Sequence, residues 1–163
     1  MTWDDFDTWS GRSRQGFAAQ LVASGLLPVP EAEAYAARQF ADLLPAGLVT
    51  PLHLFWTVRG PGRELLGHLW MRVRPLADEV EAYVFDVEVL PDARGRGLGR
   101  ATMLAAEAEA RARGATVMRL NVFGHNTVAM ALYDSLGYVV SDADPADPAS
   151  GLAVRAQRMG KLL

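Results

Sequence analysis

The chain has 163 residues, half of them hydrophobic, with 16 Lys+Arg against 19 Asp+Glu and no cysteine. That size and a charged fraction of 21% suit one folded domain with a single core, and they exclude a disordered chain. The absent Cys excludes disulfides, thiolate metal sites and a cysteine nucleophile; the net charge of −3 argues against nucleic-acid binding; and no apolar run reaches the roughly 18 residues of a membrane span.

The opening residues Met1-Thr2-Trp3-Asp4-Asp5 are acidic and polar, unlike a secretory signal, so a cytoplasmic location is expected. Residues from about 4 to 24 lack proline, and Phe17, Leu21 and Val22 recur at helical spacing, which predicts a helix stopped by Gly25. Trp3 and Trp9 read as tryptophans of its core-packing side. Pro30 begins a second helix where a missing N–H costs nothing, and Glu31 and Glu33 follow in the dipole-favoured first turn. Tyr35, Phe40, Leu43 and Leu44 form its apolar side, up to the stop at Pro45-Ala46-Gly47.

The pattern then changes to a period of two. Leu52, Leu54, Trp56 and Val58 alternate with His53, Phe55 and Thr57, which predicts a strand. Gly60-Pro61-Gly62 turns into a second strand over 65–74, and residues 75–78 turn into a third over about 80–90, giving an antiparallel meander. After Pro91 comes an Ala-rich helix over 97–113 closed by Gly114, a strand over about 116–122, and a helix opened by Asn126 and closed by Gly137. A short strand over 138–140, a polar loop over 142–150 and a final strand over about 152–159 complete the chain. The order ααβββαβαββ predicts an α/β domain: a mixed central sheet, helices on both faces and two N-terminal helices.

The chemistry concentrates at one reversal of sign. Residues 76–92 hold six acids (Asp78, Glu79, Glu81, Asp86, Glu88, Asp92) and no base, whereas Ala93-Arg94-Gly95-Arg96-Gly97-Leu98-Gly99-Arg100 holds three arginines and no acid. Glycines let backbone N–H groups converge, a helix N-terminus adds partial positive charge, and arginines add full charge, so the turn reads as a site for phosphate groups. It lacks the Gly-Lys-Ser/Thr ending of a P-loop. It also lacks the glycine spacing of a dinucleotide fingerprint, and the next strand offers Asn121 where that fingerprint needs an acid.

Arg94-Gly95-Arg96-Gly97-Leu98-Gly99, entered through Val87-Glu88-Val89-Leu90-Pro91, resembles the (R/Q)-x-x-G-x-(G/A) acyl-CoA signature of the GNAT N-acetyltransferase superfamily. Further along, Leu120-Asn121-Val122-Phe123-Gly124-His125-Asn126-Thr127-Val128-Ala129-Met130-Ala131-Leu132-Tyr133-Asp134-Ser135-Leu136-Gly137-Tyr138 resembles its second motif. The resemblance covers about residues 83–140 and implies one GNAT domain over 1–163. It implies acetyl-CoA as acyl donor and a small amine or a protein or peptide amine as acceptor, and the three scattered histidines, His53, His68 and His125, make no metal cluster, so no metal is expected. It leaves a homodimer open.

By the resemblance, the strand over 83–90 splays from its parallel neighbour over 116–122, and the pantetheine arm lies between them. Backbone N–H groups at about Val87 and Val89, freed by a bulge, hold the arm and polarise the thioester carbonyl. Those of Arg94, Gly95, Arg96, Gly97, Leu98, Gly99 and Arg100 hold the pyrophosphate. Asn126 contacts the arm, and the Tyr133 hydroxyl lies near the thioester sulfur, as general acid or positioning donor. In ribosomal-protein alanine acetyltransferases of the superfamily a Glu on the strand before the second motif is the general base; Asn121 stands there here. Glu88 is the replacement expected from the sequence, with Asp86 and His125 as lesser candidates, and the acids of 76–92 together are expected to draw an amine into the cleft. The expected reaction is direct attack of a primary amine on the thioester in a ternary complex. The alternative is a non-catalytic module of the same fold that binds or senses acyl-CoA.

Overall fold

Helix α1, Trp3–Ala23, starts where a reciprocal cap is available: the Thr2 hydroxyl accepts from the Asp5 N–H at 3.1 Å while the Asp5 carboxylate accepts from the Thr2 N–H at 3.2 Å. Helix α2, Val29–Leu43, has Pro28 at its N-cap and Pro30 in its first turn, where the absent N–H goes unmissed. Ala18 and Leu21 of α1 meet Ala32 and Ala36 of α2, and the small side chains let the two helices approach closely. The computed structural model describes residues 1–141 and 156–163. The expected polar loop over 142–150 and the start of the expected last strand lie outside the described residues.

Six strands form one sheet: β1 His53–Arg59, β2 Leu65–Pro75, β3 Val80–Val89, β4 Val117–Phe123, β5 Val139–Val140 and β6 Ala156–Leu162. Their order is β1-β2-β3-β4-β6-β5, and only β3 and β4 run parallel. Helix α3, Leu98–Ala112, makes the crossover that parallel pairing requires, and α4, Thr127–Ser135, follows β4. Period-two alternation divides the sheet into two apolar faces. Met71, Val73, Ala82, Val84, Met118 and Leu120 pack with Met103 and Ala106 of α3 and Tyr133 of α4. On the opposite face Phe55 and Trp70 pack with Phe6 and Trp9 of α1, Trp9 meeting Trp70 edge-on at 5.5 Å between centroids. Trp9 is fully buried as expected, but Trp3, the first residue of α1, is exposed, its ring lying edge-on to Phe6 and beside Gly47 at the margin of the sheet-facing cluster.

Two buried carboxylates are paired with cations. Glu81 accepts from Arg74, Arg119 and Arg158, three strands' worth of arginine on the α1 face, and Arg119 also pairs with Glu79. Glu107 of α3 holds Lys161 of β6 with both oxygens at 2.8 Å. The expected negative field of residues 76–92 therefore shrinks, because Glu79 and Glu81 are compensated by partners on neighbouring strands. No helix among the described residues is long and apolar enough to cross a membrane.

Candidate active site

The parallel pairing of β3 with β4 is short. It joins Glu81–Val84 to residues 117–120 and then stops, although β3 continues to Val89 and β4 to Phe123. Beyond Val84 the two strands diverge, leaving an opening in the sheet.

One residue sets what faces that opening. The register of β2 with β3 slips between Trp70 and Met71: Trp70 pairs with Asp86 and Met71 with Val84, so Phe85 is extra, a β-bulge. Without it, Asp86 and Glu88 would share the face of Ala82 and Val84 and be driven into the apolar core. With it, Val87 takes that face, while Asp86 and Glu88 point to α1. The backbone follows suit. The Leu90 N–H donates to the Leu66 carbonyl at 2.9 Å, so alternation turns the N–H groups of Val87 and Val89 away from β2 and towards the opening. Gly67 permits this close seating of β2, since a Cβ there would stand 2.2 Å from the Glu88 carbonyl oxygen. The bulge expected from the resemblance thus lies at Phe85, just ahead of the two residues whose N–H groups it exposes.

The arginine–glycine turn sits at the end of the same strand. Gly95 and Gly97 have φ of +72° and +75°, and Gly97 is the N-cap of α3 with no side chain capping the first turn. The N–H groups of Leu98, Gly99 and Arg100 are therefore left for an outside acceptor. A Cβ at Gly95 or Gly97 would meet no heavy atom within 4 Å, so the space over the turn is open. Gly99 is tighter: a Cβ there would lie 3.2 Å from Leu132, so glycine lets α3 meet α4. Arg94 braces the turn by donating from Nε to the Val89 carbonyl at 3.0 Å, Arg100 donates to Ser135, and Arg96 is exposed.

Asp86 lies near enough to Tyr133 for its charge to act on the hydroxyl, and Val87 packs against the cluster that holds Tyr133. Asp86 is held by two neutral donors of α1, Trp9 Nε1 at 3.0 Å and Ser13 Oγ at 2.7 Å, both to Oδ2. Burial raises its pKa, and the nearby Glu88 charge adds to that, against the pull of these donors. Tyr133 is 6% exposed; burial first and the Asp86 charge second push its pKa up to about 12. Among the described residues its hydroxyl has no hydrogen-bond partner. Glu88, in contrast, meets His68 Nδ1 at 3.4 Å and Arg12 Nη2 at 3.3 Å, and these partners hold its carboxyl below the usual range. Asn126 caps α4, its Oδ1 accepting from the Ala129 N–H at 3.2 Å, and its side chain is exposed. Asn121 is also exposed, on the Arg119 side of β4. His125 stacks on Phe123 at 5.7 Å and touches Gln20, tying the β4–α4 loop to α1.

The family model described as the acetyltransferase (GNAT) family matches residues 26–138. The chain belongs to the GNAT acetyltransferase family. It is 31% identical over 142 residues to a Bacillus subtilis (strain 168) protein named uncharacterized N-acetyltransferase YdgE, covering 87% of this chain and 90% of that one. Its fold superposes on the crystal structure of YycN from Bacillus subtilis with a TM-score of 0.83 at 28% identity, covering 90% of this chain and 94% of the other. It also shares its fold, at a TM-score of 0.70 and 17% identity, with the PaiA N-acetyltransferase of Thermoplasma acidophilum solved in complex with coenzyme A, over 100% and 96% of the two chains.

The sequence does not mark Arg12, Ser13 and His68 as partners of the two carboxylates, and it places Trp9 in the core without its bond to Asp86. Arg12 and Ser13 occupy a polar helix stretch that reads as solvent-facing. His68 alternates in phase with Trp70, which was the one available sign that it shares the α1 face.

Proposed function

We propose that the protein is an acetyl-CoA-dependent N-acetyltransferase that transfers the acetyl group to a primary amine in a ternary complex. The observation that carries this reading is the junction at the bulge: the N–H groups of Val87 and Val89 turn away from β2, the Asp86 charge acts on the Tyr133 hydroxyl, and the strand leads into a glycine turn with open space over it. When bound, acetyl-CoA supplies an activated acyl group, whose C–S bond breaks as the amine nitrogen forms the new C–N bond. The Arg94–Arg100 backbone N–H groups would hold the pyrophosphate, Asn126 the pantetheine arm, and the Val87 N–H the developing oxyanion.

The acceptor must be deprotonated, since a free alkylamine has a pKa near ~10. The Asp86–Glu88 carboxylate pair does this work. A carboxylate held low is a weak base, so Glu88, the base expected from the sequence, contributes mainly its charge. Asp86, with its pKa raised, is better matched to neutral pH. Tyr133 acts as a hydrogen-bond donor to the leaving sulfur rather than by full proton transfer. Burial pushes the Tyr133 hydroxyl up to about 12, so it gives up its proton reluctantly and donates a hydrogen bond instead. The proton taken up by Asp86 is the one returned to the thiolate.

The test is thiol release from acetyl-CoA across a panel of small amines and peptide N-termini, read with a thiol reagent against a chain that contains no Cys. The position of Asn121 favours a second reading, a binding or sensing module, because it offers no carboxylate where related enzymes carry their base. Acetyl-CoA binding without thiol release for any amine would establish that second reading in place of the first.

A further inference from the structure

Helix α1 grips both carboxylates of the bulged strand, with different chemistry at each. Trp9 and Ser13 give Asp86 only neutral donors, whereas one residue short of Ser13, Arg12 gives Glu88 a cation. Arg12 Nη2 also lies 3.2 Å from Nδ1 of His68, and His68 is 1% exposed, wedged between α1 and β2 against Glu88. Two elements, α1 and β2, thus converge on Glu88 through side chains that the transfer chemistry does not use directly. From this geometry we infer that Arg12 and His68 are positioning residues: they clamp Glu88 as a fixed negative charge beside Asp86, so that the acceptor's proton is taken at Asp86 and only when α1 is seated.

The groups facing each carboxylate define the sign of the effect. Asp86 faces Glu88 on its own strand, His68 on β2 and Tyr133 on α4; Glu88 faces Arg12 on α1, His68 on β2 and Arg94 in the turn. Removing the Glu88 charge lets Asp86 ionise more easily. Removing the Arg12 charge leaves Glu88 uncompensated and makes Asp86 ionise less easily. A contact that merely held α1 in place would produce no such opposed pair.

This inference rests on the acetyltransferase reading for its role, but its test does not. The side-chain carboxyl carbon of Asp86 is titrated by NMR in the 13C-labelled full chain, as wild type, Glu88→Gln, Arg12→Met and Arg12→Lys, with Asp86→Asn assigning the resonance. The expected result is an Asp86 midpoint moved to lower pH in Glu88→Gln, to higher pH in Arg12→Met, and restored towards wild type in Arg12→Lys. The acid limb of kcat/KM is expected to move in the same two directions. Coincident Asp86 midpoints in all variants, or shifts of the same sign in Glu88→Gln and Arg12→Met, overturn the clamp. Opposed NMR shifts with no thiol release from acetyl-CoA for any amine leave the clamp standing and overturn the transferase reading instead.

Discussion

Replacing Gly97 by Ala separates what the turn costs the fold from what it does for the cofactor. Gly97 has φ +75° and its added Cβ meets nothing within 4 Å, so the only penalty in the free protein is a left-handed conformation for an L residue, about 1–2 kcal/mol. For a chain of this size each kcal/mol moves Tm by roughly 2–4 °C, so the loss is about 2–8 °C. Gly114 supplies a matched control: φ +80°, no atom within 4 Å, and a place at the far end of α3. Gly114→Ala should lose as much stability as Gly97→Ala. With acetyl-CoA at about 100 times Kd, wild type and Gly114→Ala should each regain about 2.7 kcal/mol, or roughly 5–11 °C. In Gly97→Ala the methyl group occupies the space over the turn, and the rise should fall to near zero at the same concentration. The assay is thermal unfolding of the three proteins with and without acetyl-CoA. An equal rise in Gly97→Ala and Gly114→Ala would refute the assignment of the turn as the phosphate cradle.

Three further outcomes follow from the site. Tyr133→Phe should lower kcat by about 10²-fold, as for loss of one transition-state donor, while the acetyl-CoA-induced melting shift stays at the wild-type value; an unchanged kcat removes the hydroxyl from the mechanism. Asp86 has a folded pKa above its ordinary 3.8, so its contribution to stability is full at low pH and is lost as pH rises through the carboxylate range. Urea unfolding should therefore find Asp86→Asn more stable than wild type at neutral pH but not at about pH 3, while its kcat/KM falls by about 10²–10⁴-fold. His53 accepts from Trp70 Nε1 at 2.8 Å, and burial, then Arg72, lower its pKa from 6.5 to about 4. Its unfolded form takes up a proton that the folded form refuses in that window, so stability falls as pH drops from 6.5 to 4, and His53→Gln should flatten that part of the curve.

What could be read locally was read well. The glycine turn, the Asn126 cap and the stop at Gly114 are short-range devices, and each stands where the residues put it, with positive φ at Gly95, Gly97 and Gly114. What escaped depends on pairing across the chain. The bulge at Phe85 is a one-residue slip between β2 and β3, and nothing within residues 80–89 marks which residue is surplus. Asp86 ranked behind Glu88 because its environment comes from Trp9 and Ser13, over 70 residues earlier. Glu81 counted as a cleft acid because its arginine partners belong to other strands. Trp3 counted as core because helical periodicity cannot register how far the sheet extends beneath the first turn, where Trp3 meets only the rim of the cluster at Phe6 and Gly47.

The ion pair of Lys161 with Glu107 bears on how such a protein can be studied. Lys161 is the sole lysine of the sequence, and its ammonium group is shared between two carboxylate oxygens beside the Tyr138 ring. The other basic side chains, fifteen guanidinium groups, stay protonated and do not compete as acyl acceptors. The polypeptide therefore offers almost no nucleophilic amine side chain of its own. In incubations with radiolabelled or isotopically heavy acetyl-CoA, label recovered on a partner peptide or small molecule can be scored directly, with little self-modification to subtract.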